Sequence, residues 1–240
     1  MNIVYCIYRT WSLKILQGLL AVQDKKDWKI KLVIAPEGME LPKLPVEVMH
    51  IDPAKLGAHE EKIKSLKPGV IITYGWSWII PKNILDIAPC LVLHPSKLPH
   101  GRGGTPIQNQ IMEGIKKSAV SIIYAIDKLD AGDILEQEEI SFEGYVQDIF
   151  DRMSETGLKL SIPLMDKFLK GYVKGTPQDS SKATIYRRRT PGMSEITIDE
   201  IKTKNAEHIY NKIRGLQGPY PEAYIICADG KKLYITRAHL

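Results

Sequence analysis

Short apolar runs alternate with segments of helical spacing along most of this 240-residue chain, and this alternation restricts the possible folds more than any other feature. The runs that predict strands lie at residues 3–8, 29–35, 42–51, 70–74, 90–94, 119–126 and 135–140. The segments that predict helices lie at residues 11–22, 55–66, 79–87, 106–114 and 146–170. Strands that alternate with helices favour a mostly parallel sheet with helices on both faces, so the sequence predicts a Rossmann-like α/β fold.

The last quarter of the chain has a different character. Residues 176–197 contain prolines, a glycine and the run Arg187-Arg188-Arg189, which is typical of a linker. A helix is predicted at 198–216, and two short apolar runs after it flank Asp229-Gly230, a pair that favours a hairpin turn. We therefore expect a main domain at 1–175, a linker at 176–197 and a small helix-and-hairpin subdomain at 198–240.

Charge and cysteine content restrict the class of function. The chain has 33 Lys and Arg residues against 28 Asp and Glu residues, a net charge of +5 that suits a phosphate-bearing small molecule and is weak for nucleic acid. Cys6, Cys90 and Cys227 lie far apart, so we expect neither a disulfide framework nor a metal site. The N-terminal apolar run is too short for a signal peptide or a membrane span, so a cytoplasmic protein is expected.

A histidine and an aspartate follow two of the predicted strands. His94 ends the strand at 90–94 and begins a loop rich in Gly and Pro, and Asp130 lies in the turn Leu129-Asp130-Ala131-Gly132-Asp133. A lone histidine after a strand is also a common structural residue, and such a turn forms without any function. Because ligands of parallel sheets bind at the carboxyl ends of strands, the two residues together indicate a catalytic pair.

Five motifs in order resemble those of the formyltransferases that use N10-formyltetrahydrofolate, and most closely the sugar-nucleotide N-formyltransferases. They are the strand at 70–74, His94-Pro95-Ser96-x-Leu98-Pro99-x-x-Arg102-Gly103, Leu129-Asp130-x-Gly132-Asp133, Pro177-Gln178-Asp179 with Ala183-Thr184, and Ile213-Arg214 to Pro219-Tyr220-Pro221. The resemblance implies an enzyme that moves a formyl group from the folate to the amine of a UDP- or dTDP-linked 4-amino-4,6-dideoxy sugar. It implies no metal, no nucleic-acid partner and no membrane partner, and it is compatible with a homodimer.

The resemblance also implies roles for individual residues. His94 would stabilise the oxyanion and relay a proton, and Asp130 would orient the imidazole. The residues expected on the folate side are Gly75, Trp76, Trp78 and Asp133. Those expected on the substrate side are Arg9, Trp11, Arg102, Gly103 and Tyr220. The tryptophans are equally compatible with a core role, and Arg9 and Arg102 with solvated positions.

One position departs from the family pattern. The family carries Asn-x-His at this strand end, but position 92 is Val92, and the loss of such an oxyanion donor typically costs about 3 kcal/mol of transition-state stabilisation. We expect Asn109 to replace the donor, with the neighbouring Gln108 as the other amide that the sequence offers. A catalytically silent folate- or nucleotide-binding paralogue also remains compatible with Val92.

Two other formyltransferases are alternatives. A methionyl-tRNA formyltransferase shares the catalytic domain, but its C-terminal domain is a full barrel, whereas one helix and one hairpin are predicted here. Glycinamide ribonucleotide formyltransferase is disfavoured because it normally lacks the Pro219-Tyr220-Pro221 segment. The sequence does not choose the sugar or the nucleotide.

Overall fold

The computed structural model describes residues 1–240. Its strands are β1 (Asn2–Cys6), β2 (Lys29–Pro36), β3 (Glu47–Ile51), β4 (Pro68–Ile72), β5 (Cys90–His94), β6 (Arg102–Gly103), β7 (Lys117–Tyr124), β8 (Ile134–Ser141), β9 (Ile185–Tyr186), β10 (Tyr224–Ile226) and β11 (Lys232–Tyr234). Its α-helices are α1 (Thr10–Val22), α2 (Glu60–Ser65), α3 (Lys82–Leu85), α4 (Pro106–Met112), α5 (Val146–Phe168), α6 (Ile198–Thr203) and α7 (Ala206–Gly215). Four 3₁₀ segments lie at Gln23–Lys25, Pro53–His59, Ser180–Lys182 and Pro191–Ser194.

Seven strands form one sheet in the order β3-β2-β1-β4-β5-β7-β8. Neighbours from β3 to β5 are parallel, whereas β7 runs antiparallel to both β5 and β8. The predicted mostly parallel α/β fold is therefore confirmed. From β1 the chain adds β2 and β3 on one side of β1, and it then crosses to add β4 on the other side. The strand order therefore reverses between β1 and β4, which is the switch point of the sheet. In such sheets ligands bind outside the carboxyl ends of these strands.

Alternate side chains of the central strands enter two separate cores, which explains their nearly continuous apolar character. On β1, Ile3 and Tyr5 face the larger core with α1 and α5, and Val4 faces the smaller core with α2 and α3. All three side chains are fully buried. Helices therefore cover both faces of the sheet and leave its carboxyl edge open.

Several elements differ in length from the sequence prediction. The single helix predicted at 198–216 is two helices, because the side chain of Asn205 accepts a hydrogen bond from the His208 amide and starts α7 anew. The helix predicted at 79–87 is reduced to the four residues of α3, and the strand predicted at 42–51 begins only at Glu47. The segment predicted as a helix at 55–66 starts as the 3₁₀ segment Pro53–His59 and continues as α2. The predicted hairpin is present as β10 and β11.

The C-terminal elements are hydrogen-bonded to the loop between β8 and α5, and α7 packs on α4. Arg214 on α7 donates from Nη1 to the carbonyl oxygens of Phe142 and Gly144, at 2.8 and 2.7 Å. The Tyr145 hydroxyl donates to the carbonyl of Ala238 at 2.7 Å. None of the helices combines the length and apolar composition that crossing a membrane requires.

Candidate active site

A cleft of about 640 Å³ lies at the carboxyl ends of β1, β4 and β5, where the switch point predicts a ligand. The predicted site residues that line it are Arg9, Trp11, Gly75, Trp76, Trp78, His94, Gly103, Asp130 and Tyr220. Residues from the loops after three strands therefore meet in one cavity. Arg102, Asn109 and Asp133 do not line it.

His94 ends β5 at the floor of this cleft and is only 5% exposed. Its Nε2 lies 2.8 Å from the carbonyl oxygen of Gly101, and its Nδ1 lies 3.5 Å from Oδ2 of Asp130. Both neighbours are hydrogen-bond acceptors, so a neutral imidazole donates to one of them and an imidazolium to both. Each ring nitrogen therefore faces an oxygen that accepts a hydrogen bond from an N–H group.

Asp130 is held in place by the backbone of the glycine-rich loop. The amide N–H of Gly103 donates to Asp130 Oδ2 at 2.8 Å, on the same oxygen that faces His94. Asp130 itself has a φ of +48°, a left-handed conformation that Asp tolerates better than most residues. One carboxylate oxygen therefore joins the His94 strand end to the loop that follows it.

Gly103 is required by geometry. Its φ is +100°, and a Cβ at this position would lie 2.4 Å from the carbonyl oxygen of Tyr186. Tyr186 belongs to β9, which pairs with β6, so residues predicted as a linker form a short strand beside the catalytic loop. The backbones of β6 and β9 approach each other closely, and this places the Gly103 amide N–H against Asp130. Only glycine permits such a close approach at this position.

Gln178 is a site residue whose role the sequence did not predict. Its Oε1 accepts hydrogen bonds from Nε and Nη2 of Arg102, at 3.0 and 2.8 Å. Its Nε2 donates to the carbonyl oxygens of Asp130 and Gly132, at 2.9 and 2.7 Å. The buried Arg102 therefore contacts the Asp130 turn through Gln178 and does not line the cleft. The signal for this role was the motif Pro177-Gln178-Asp179, which resembled the family but was assigned to a linker.

One wall of the cleft is aromatic. The ring of Trp78 lies 5.3 Å from that of Trp76 and 4.7 Å from that of Tyr8, in tilted and edge-on arrangements. Trp76 Nε1 is buried and has no hydrogen-bond partner in the protein. The loop starts at Gly75, whose φ is +72°. Such a wall suits a flat heteroaromatic ligand that supplies an acceptor for the indole N–H.

Beside this wall, on the other side of Tyr8, the cleft is cationic and aromatic. The Arg9 guanidinium carbon lies 4.5 Å from the ring centroid of Tyr8 and 5.3 Å from that of Tyr220. The Tyr220 ring stacks on Phe150 at 5.8 Å. Burial raises the pKa of Tyr220, against the opposing effect of Arg9 and Arg188. The Tyr220 side chain therefore stays neutral beside two cations. Independently of this, Arg9 forms no ion pair with a carboxylate.

Two predicted site residues lie elsewhere. Nδ2 of Asn109 is occupied by the carbonyls of Gly104 and Arg187, each at 3.1 Å, because the side chain joins α4 to the 187–189 segment. Asp133 lines a second cavity of about 590 Å³ behind the cleft, together with Tyr124 and Tyr172. Pro106, Ile107 and Gln108 of α4 do line the cleft, and the amide among them, Gln108, is 3% exposed.

Comparison with known proteins agrees with this arrangement. The family described as formyl transferase matches residues 23–160, and the formyl transferase C-terminal domain matches residues 199–240. The methionyl-tRNA formyltransferase of Bacillus velezensis is 34% identical over 212 residues, which are 86% of this chain and 65% of that protein. The chain thus spans less than two thirds of the length of this curated relative.

Solved structures share the fold. The methionyl-tRNA formyltransferase of Clostridium thermocellum is 29% identical, with a TM-score of 0.74 over 98% of this chain and 96% of that chain. A 4-N formyltransferase from Francisella tularensis is 18% identical, with a TM-score of 0.81 over the same shares of the two chains. With its sequence match over more than half of its length, the chain belongs to the formyl transferase family.

Proposed function

We propose that this protein transfers a formyl group from N10-formyltetrahydrofolate to the primary amine of a nucleotide-linked amino sugar. The UDP- or dTDP-linked 4-amino-4,6-dideoxy sugars are the substrates we favour. The observation that carries the choice of acceptor is the placement of Arg9 between the rings of Tyr8 and Tyr220, in the same cleft as His94. An arginine without a carboxylate partner suits a phosphate, and a partly exposed aromatic ring beside it suits a nucleotide base.

The folate is assigned to the aromatic wall. The flat pterin ring fits beside Trp76 and Trp78, and the unpaired indole N–H of Trp76 supplies a donor for one of its heteroatoms. This placement directs the N10 formyl group toward the floor of the cleft, where His94 and Asp130 lie. The donor and the acceptor then occupy adjoining parts of one cleft, next to the catalytic pair.

The reaction requires an amine, a formyl carbon and a path for one proton. The amine attacks the formyl carbon, a new carbon–nitrogen bond forms, and negative charge develops on the formyl oxygen. Collapse of this intermediate breaks the bond to N10, and the proton lost by the amine is transferred to N10. His94 relays this proton once its Nε2 leaves the Gly101 carbonyl, and Asp130, 3.5 Å from Nδ1, orients the imidazole. The products are tetrahydrofolate and an N-formyl sugar.

Methionyl-tRNA is the second candidate acceptor, and one observation favours it. Arg188 is an exposed residue that lines the cleft and packs against Gly104, and its neighbour Arg187 is exposed as well. Relatives 34–37% identical to this chain are named methionyl-tRNA formyltransferases. An exposed pair of arginines beside the catalytic loop suits the backbone of a nucleic acid.

Formyl transfer measured against a panel of acceptors distinguishes the two. We expect turnover with UDP- or dTDP-amino sugars, and an Arg9→Met variant to raise the KM for the sugar nucleotide at least tenfold. Activity on methionyl-tRNA alone, with a KM that rises steeply with salt, would overturn the sugar assignment. An Arg187→Met variant reports on the tRNA arm, because Arg187 is exposed and, unlike Arg9 and Arg188, does not line the cleft.

A further inference from the structure

The resemblance places an asparagine, which is a hydrogen-bond donor, at position 92, but this chain has a valine there. Val92 lies on β5 two residues before His94, and alternate residues of a strand face the same side, so both line the cleft. The apolar side chain of Val92 cannot donate a hydrogen bond. An enzyme that forms an oxyanion at this place needs a donor from another element.

Two nearby groups already have partners. The nitrogens of His94 face the Gly101 carbonyl and Asp130, so donation to a ligand requires the ring to give up one of them. The Asn109 amide is bound to the carbonyls of Gly104 and Arg187. Neither is a free, preorganised donor.

Gln108 has the opposite character. It lies on the first turn of α4, lines the cleft and is 3% exposed, yet its Nε2 has no hydrogen-bond partner in the protein. A buried donor without a partner is destabilising, and native proteins contain few of them. The remaining orphan donor in the cleft wall, Trp76 Nε1, belongs to the wall assigned to the folate ring.

We propose that the side-chain amide of Gln108 donates a hydrogen bond to the formyl oxygen and stabilises the oxyanion, in place of an asparagine at position 92. The inference rests on the proposed formyl transfer. The amide is unpaired before the reaction and gains its partner as charge develops on the formyl oxygen, so its stabilisation is largest in the transition state. Gln108 is then a catalytic residue of this chain.

A Gln108→Leu variant separates this role from a structural one. We expect kcat to fall about hundredfold, with the KM for the acceptor nearly unchanged. Because the variant replaces an unpaired buried amide with an apolar side chain of similar volume, its urea midpoint should equal or exceed that of the wild type. Gln17→Leu on the exposed side of α1 is the matched control and retains wild-type activity.

A binding measurement tests the contact without an acceptor. Calorimetry with 10-formyl-5,8-dideazafolate and with 5,8-dideazafolate isolates the contribution of the formyl group. We expect Gln108→Leu to bind the formyl compound about fivefold more weakly and the other compound equally well. Trp76→Phe should weaken both alike. The double variant that combines Val92→Asn with Gln108→Leu should have a kcat at least tenfold higher than that of Gln108→Leu alone.

The outcomes are distinct. Unchanged kcat and unchanged formyl-dependent affinity in Gln108→Leu would overturn the role of Gln108, whatever the acceptor. The role of Gln108 would also be overturned if Trp76→Phe bound the two folate compounds with equal affinity while Gln108→Leu kept the wild-type difference in affinity between them. A wild-type protein that binds neither folate compound would overturn the proposed function and this inference together.

Discussion

Gln178 lies 2.8 Å from Arg102, measured from Oε1 to Nη2, although 76 positions separate them in the chain. The same amide donates to the carbonyls of Asp130 and Gly132, so one side chain joins the glycine-rich loop to the aspartate turn. The residues that carry the chemistry therefore depend on a side chain that does not itself line the cleft.

Loss of Gln178 should weaken both the fold and the site. A Gln178→Leu variant leaves the buried Arg102 guanidinium without its acceptor, and we expect a loss of about 2 kcal/mol of unfolding free energy in urea. Because the Asp130 turn also loses two hydrogen bonds, kcat should fall about tenfold. Gln17→Leu controls for the substitution itself, since Gln17 is exposed. Wild-type stability and wild-type kcat in Gln178→Leu would show that Arg102 finds another partner.

The catalytic pair should act together. We expect His94→Ala and Asp130→Ala each to lower kcat by about two to four orders of magnitude, because proton relay and orientation of the imidazole are both lost. Circular dichroism checks that each variant is folded. A folded variant of either kind with nearly wild-type kcat would refute the assignment.

A substitution at Gly103 tests whether the close approach of β6 and β9 requires glycine. A Gly103→Ala variant places a Cβ 2.4 Å from the Tyr186 carbonyl at a φ of +100°, so both clash and backbone strain are expected. Gly38→Ala is the control, because Gly38 has a φ of +76° and a Cβ added there would have no atom within 4 Å. We expect Gly103→Ala to lower the urea midpoint more than Gly38→Ala does, and to reduce kcat. Equal midpoints would mean that β9 moves away without cost.

Acid should destabilise the C-terminal elements through Glu200. Burial opposes its charge, but hydrogen bonds from Lys212 and the Thr197 backbone outweigh this and lower the pKa of Glu200 from 4.5 to about 2. A depressed pKa stabilises the fold above pH 4.5, and this stabilisation, about 3 kcal/mol, is lost as the pH falls from 4.5 toward 2.

Unfolding free energies of wild type and Glu200→Gln, measured in urea between pH 6 and pH 3, check this effect. The difference between the two proteins should shrink across that range. The exposed Glu207 provides the control substitution, Glu207→Gln. A difference that stays constant down to pH 3 would contradict the role of the Lys212 contact.

The sequence by itself determined the alternation of strands and helices, and with it the mostly parallel sheet and the position of His94 at the carboxyl end of β5. Asp130 follows β7, which runs antiparallel to β5, so its approach to 3.5 Å from His94 depends on the path of the loop between β7 and β8 and does not follow from the local pattern. Arg9, Trp76 and Tyr220 also line the cleft as expected: Arg9 and Trp76 lie shortly after the strands β1 and β4, and Tyr220 belongs to a motif that resembles the family.

Only the tertiary structure decided which amide of α4 faces the cleft. Gln108 and Asn109 are adjacent, and one residue rotates the helix by about 100°, so the choice depends on how Ile107 and Ile111 pack into the core. The role of Gln178 was likewise decided by the tertiary structure, although its motif resembles the family, because its partners Arg102 and Asp130 lie 76 and 48 positions away in the chain. Contacts between distant segments depend on packing, and no local pattern of residues encodes them.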